Sequence, residues 1–209
     1  MARTNKGILG HFSGTVGTVV GSNWRGIEYM RSKSKRRSRN FTEGQLMVQA
    51  KFLLITRFIK ALSQIVTYAF NDPSADKTGM NRAFSYNYRN AVIGVYPTLN
   101  IDFTKVLVSE GILIAAAGTA LTDETNGVVK FAWTPNSGGN ALDTDVSVGV
   151  IYCPELNRAI YTTSGAGRSV GEQTLDVSLF SGKLVHGYLF FSTNTDVSTS
   201  IYVGSLTVS

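Results

Sequence analysis

Near Phe103 the spacing of apolar residues switches from a helical period to a period of two, and short β-rich segments then alternate with turn clusters to the end of the chain. That pattern is how antiparallel sandwiches and barrels read in sequence. The predicted strands are Lys105–Ser109 with a continuation at Ile112–Ala115, Gly127–Trp133, Val146–Tyr152, Ala159–Thr163, Thr174–Ser178, Leu184–Ser192 and Ser200–Thr207. Turn clusters at 134–140, 154–157, 164–167 and 181–183 separate them. Seven strands in about 105 residues indicate an immunoglobulin/fibronectin-III-like antiparallel β-sandwich, with Trp133 as its buried tryptophan. Cys153 is the sole cysteine, so no inter-sheet disulfide can form, which favours the fibronectin-like branch over an antibody-type domain.

Ahead of the switch the chain reads as helix. Asn40–Glu43 and Thr42–Gln45 each match a capping box. Apolar residues then recur at Met47, Ala50, Leu54, Phe58, Ala61, Ile65 and Ala69, with a second stripe at Ile55, Ile59, Leu62, Val66 and Phe70. A straight helix over 43–70 would be about 42 Å long with a wide apolar face, more than a small sandwich can cover. Part of that face is expected to meet another helix or a second subunit. Asn71–Ser74 is the expected stop. A second helix over Asn81–Val92 completes a helical hairpin, and Phe84, Tyr86, Tyr88 and Tyr96 are read as its packing aromatics.

The first thirty residues are different again. Glycines 7, 10, 14, 17 and 21 are spaced as if on one helical face, but five interior glycines would cost a helix on the order of 5 kcal/mol, and their neighbours are β-branched. The segment reads instead as a glycine-rich arm leading into a β-hairpin: Thr15–Gly21, a turn over Ser22–Arg25, and Gly26–Arg31. No Gly-Lys-Ser/Thr ending or preceding hydrophobic strand supports a phosphate loop. The fold class is therefore α+β: an N-terminal glycine-rich arm and β-hairpin, a helical hairpin, then the C-terminal sandwich. Residues 1–100 form the expected assembly or binding region and 101–209 the sandwich.

Charge is distributed as unevenly as the period. The chain has a formal net charge of +6, yet residues 1–60 hold 12 Lys/Arg against Glu28 and Glu43. The densest run, Arg31, Lys33, Lys35, Arg36, Arg37 and Arg39, contains no acid and cannot enter a core, so it stays in solvent, meets another subunit or meets an anionic polymer. These six are the candidate nucleic-acid or anion-binding residues. Trp24, Tyr29 and Phe41 flank the run without being interleaved in it. The most apolar window, 52–70, carries Arg57 and Lys60 near its middle and is not expected to span a membrane. No export signal is evident at the start of the chain, so the cytoplasm is the default expectation, with a virion as the other setting.

Catalytic chemistry has little to build on. His186 lies in a strand pattern, His11 lies in the arm without a neighbouring acid, and Cys153 precedes Pro154 with no recognisable base. Asp123, Glu124, Asp143 and Asp145 fall in turn clusters, where Asp serves backbone geometry. No catalytic, cofactor-binding or metal-binding residues are expected. The expectation is a non-enzymatic structural or interaction protein that forms a homo-oligomer or larger assembly, or docks, through its arm and long helix. The candidate interface residues are Trp24, Tyr29, Phe58, Ile59, Leu62 and Val66. The alternative is a nucleic-acid-binding protein using 31–39.

The stretches Gly7–Gly10, Phe12–Gly21, Trp24–Ser32 and Lys105–Gly111, together with Ala50–Phe52 and Ile201–Gly204, resemble a family of uncharacterised proteins of similar length, a domain of unknown function in Bacteroidetes-type bacteria and their phages. The resemblance spans essentially the whole chain. It implies a shared architecture and transfers no catalytic residue. Lys33–Arg39 departs from the family pattern, in which this connection is shorter, proline-containing and less basic, so cationic character there is not a property the resemblance carries.

Overall fold

The computed structural model describes residues 3–4, 11–35, 40–70 and 77–209. Gly7 and Gly10 of the expected arm, the helix stop at Asn71–Ser74, and Arg36, Arg37 and Arg39 lie outside the described residues. The chain divides into two compact units, Met1–Thr42 and Glu43–Ser209.

The first unit is a sheet of order β1-β2-β3-β4, from Arg3–Thr4 (β1), Phe12–Val16 (β2), Val19–Trp24 (β3) and Ile27–Ser32 (β4), antiparallel throughout. The β-hairpin is present, but its turn lies further along than expected. Arg25 (φ 51°) and Gly26 (φ 84°) form a two-residue turn with both central residues at positive φ, the geometry whose twist suits a hairpin. The expected strand Thr15–Gly21 is broken in two, because Gly17 (φ 57°) turns the chain from β2 into β3. Gly21 admits no side chain: a Cβ there would lie 1.9 Å from the Phe12 carbonyl oxygen.

The second unit is mixed α and β. Its described helices are α1 (Glu43–Ala61), α2 (Ser63–Ala69) and α3 (Gly79–Asn90). The expected single helix over 43–70 is thus two, bent by 83° at Leu62. There the Leu62 N–H donates to Ile59 O (3.1 Å), a tightened turn, and the helix restarts with Val66 N–H donating to Leu62 O (2.9 Å). The bend resolves the over-wide apolar face: both stripes, from Ile55 to Phe70, turn inward onto the same sheet. The α3 helix begins at Thr78, whose hydroxyl accepts from Asn81 N–H (3.4 Å).

After a two-stranded pair, β5 (Val92–Ile93) and β6 (Asn100–Ile101), seven strands form two antiparallel sheets. These are β7 (Ala117–Asp123), β8 (Val128–Thr134), β9 (Val146–Cys153), β10 (Arg158–Tyr161), β11 (Glu172–Asp176), β12 (Leu184–Ser192) and β13 (Ile201–Thr207). One sheet has the order β10-β9-β12-β13, the other β11-β8-β7. The expected first strand at Lys105–Ala115 is not a strand. Its N–H groups find scattered partners instead, Leu107 N–H donating to Asn87 Oδ1 (3.0 Å), Val108 N–H to Ser200 Oγ (3.0 Å) and Glu110 N–H to Ala69 O (3.2 Å), and the first strand of the sheets is β7.

Alternation along β9 and β12 divides the unit into three layers. Val148, Val150, Tyr152, Tyr188 and Phe190 face the helices in one core; Ile151, Cys153, Val185, Leu189 and Phe191 face the three-stranded sheet in the other. Both strands are buried on both sides, including Ser147, Gly149, His186 and Gly187. The helices therefore share a core with the four-stranded sheet, and the division expected near residue 100 falls inside a single packed body. Trp133 occupies its expected place, with Nε1–H donating to Arg168 O (2.8 Å) and its ring edge-on to Phe191.

Candidate functional site

The expected site residues separate by burial. Phe58, Ile59, Leu62 and Val66 are 3% exposed or less, packed within their own chain, so they cannot form the expected assembly interface. Phe58 stands edge-on to Tyr152 at 4.9 Å, a core contact. Trp24 (57%) and Tyr29 (43%) are exposed, as are Arg31, Lys33 and Lys35.

Register determines which of these meet. The pairs Trp24↔Ile27, Ser22↔Tyr29 and Val20↔Arg31 place those six side chains on one face of the β3–β4 hairpin, since directly opposed residues share a face. The Lys33 N–H donates to Thr18 O (2.7 Å), extending the register by one step and placing Lys33 on the same face as Arg31. The aromatic and apolar end of this face, Trp24, Ile27 and Tyr29, thus adjoins its cationic end, Arg31 and Lys33. Arg25 lies over the Trp24 ring at 5.7 Å. The other face carries Val16, Val19, Met30 and Glu28, of which Val16 and Met30 are widely exposed. Glu28, the only acid in residues 1–42, lies there with His11 3.9 Å away.

The second unit has exposed apolar side chains of its own at the start of α1. Met47, Val48 and Phe52 extend the stripe that packs at Ile55 and Phe58, but are exposed. The Phe52 ring meets Phe84 of α3 at 4.9 Å.

The groups weighed for catalysis have structural partners. Burial pushes His186 below the ordinary imidazole range; its ring stacks on Phe103, and Nδ1 is 3.1 Å from the Tyr202 hydroxyl. Burial, aided by Cys153, pushes Tyr152 up to about 12. Asp145 forms a fully buried pair with Arg168 (3.0 Å), and Asp123 accepts from Ser209 N–H (3.0 Å). No group of three metal-ligating side chains occurs among the described residues. A cleft of about 540 Å³ at Tyr68, Glu110 and Asp196 contains a cation already paired, Arg82 to Glu110 at 3.2 Å.

A family model matches residues 11–204. The chain belongs to a family of unknown function, DUF6266. That span includes β2 to β4 of the N-terminal sheet as well as the helices and most of the sandwich strands of this chain. No curated protein matches the chain. Among solved structures it is similar to the fn3 domain of human collagen alpha-1(XX) chain, at 15% identity and a TM-score of 0.33, over 46% of this chain and 86% of that one.

Proposed function

We propose that this DUF6266 protein is a non-enzymatic interaction protein that self-assembles, using its N-terminal sheet and the first turns of α1 as the contact. The observation that carries this reading is a sheet with apolar side chains exposed on both faces: Trp24, Ile27 and Tyr29 on one, Val16 and Met30 on the other. Small sheets without a buried face are marginal in water, so this one gains stability by being covered. Met47, Val48 and Phe52 add an apolar stripe on α1 that is not filled at its N-terminal end.

The body is read as a fibronectin-III-like sandwich. Its first, second and fifth strands share one sheet, and its fourth lies beside the third on the other, which is the fibronectin-type variant of the immunoglobulin plan. Helices cover the outer face of the four-stranded sheet.

Light scattering after size exclusion in high salt with nuclease tests the proposal. A mass above one chain is expected, reverting to one chain in Met30→Ser/Phe52→Ser; a monomeric wild type would overturn it.

A further inference from the structure

We propose that the face of the β3–β4 hairpin bearing Trp24, Tyr29, Arg31 and Lys33 binds single-stranded nucleic acid. Bases would stack on the two rings and phosphates would meet the cations. The register already places these side chains together, and all four are exposed. Successive same-face residues on a strand are about 6.8 Å apart, so Tyr29 and Arg31 stand side by side within reach of one nucleotide's base and its phosphate. Trp24 lies across the hairpin from Ile27 and extends the apolar end of that row.

Electrostatics favours the same face. Residues 1–42 hold nine Lys/Arg and one acid, and that acid, Glu28, is on the opposite face beside His11. A polyanion on the Trp24 face would meet Arg31 and Lys33 with no carboxylate of the same sheet on that face. The chemistry also separates single strands from duplexes. Exposed rings stack on bases whose faces are free, and such stacking tolerates any sequence, whereas in a duplex the base faces are already stacked. This inference shares Trp24 and Tyr29 with the self-assembly reading, which also uses Met30 and α1, so titrating the Met30→Ser/Phe52→Ser chain as well separates the two.

The test titrates the full chain with a fluorescent oligothymidylate of about 20 nucleotides between about 50 and 200 mM salt. Binding should weaken with salt at a log–log slope of about −2 if Arg31, Lys33 and Lys35 each release a counterion, since single strands give about −0.7 per phosphate. Trp24→Ala and Tyr29→Ala should each weaken binding about tenfold or more, whereas Leu179→Ser, exposed in the second unit, should leave it unchanged. All three positions are exposed, and circular dichroism checks that each variant keeps the fold. Oligothymidylate should bind more tightly than a duplex of equal charge, polyglutamate or vesicles of phosphatidylserine. No binding, equal binding to any of those polyanions, or indifference to both ring deletions would overturn the proposal.

Discussion

Arg168 is fully buried, and its guanidinium draws together three separated loops. Nε donates to Asp145 Oδ2 (3.1 Å), one Nη to Asn136 Oδ1 (2.9 Å) and the other to Ile114 O (2.8 Å), while the group lies 3.8 Å over the Phe191 ring. Removing one member of a buried pair leaves the other charge uncompensated. Arg168→Met should therefore cost about 3–5 kcal/mol in urea unfolding, and Arg168→Met/Asp145→Leu should recover part of that loss. His186 responds to pH. Its folded pKa lies below the unfolded 6.5, so the unfolded chain takes up the proton more readily. Its contribution to stability is present above pH 6.5 and lost as pH falls through the folded value. Melting temperature followed between neutral and acidic pH should drop in the wild type, and His186→Gln should flatten that part of the curve. His186 was legible as a structural strand residue, whereas Arg168 sits in a glycine- and serine-rich turn, where burial of a charge has no sequence signature.

At the scale of elements, periodicity located most of the body and missed where backbone groups found other partners. β12 spans the predicted residues Leu184–Ser192, and β8, β9 and β13 lie within a residue or so of their predictions, because their alternation and flanking turns are strong. β7 was missed: it consists largely of small and polar residues around Gly118 (φ 57°), with a bulge between Ala117 and Ala120. Lys105–Ala115 has strand composition but lies where Asn87 and Ser200 side chains satisfy its amides. The helix break at Leu62 has no glycine or proline to announce it. Packing onto the sheet decides it, as Phe58 illustrates between Tyr152 and Phe103. Phe58→Ala should lower stability by about 3–5 kcal/mol and leave the light-scattering mass unchanged, which separates core from interface. Two strands also need glycine for close packing. A Cβ at Gly187 would meet Leu121 at 2.8 Å, so Gly187→Ala should cost about 1–3 kcal/mol in the same unfolding assay.

For the whole molecule, the two compact units differ in how they are stabilised. Residues 43–209 contain two apolar cores on either side of one sheet, whereas the sheet in residues 1–42 has one buried residue among its three longer strands, Gly21. A chain of residues 43–209 should keep a single cooperative unfolding transition by calorimetry, and a peptide of residues 1–42 should show no such transition alone. Sequence determined what local chemistry can encode: the α+β class, the strands with clear alternation, the hairpin and the excess of positive charge in the N-terminal segment. Tertiary structure decided what depends on partners distant in the chain. It set the bend that folds two apolar stripes onto one sheet, the burial of Phe58, Ile59, Leu62 and Val66, and the face on which Trp24, Tyr29 and Arg31 meet. Period and charge act between near neighbours and can be read along the chain; burial and register are properties of segments brought together, and no single segment contains them.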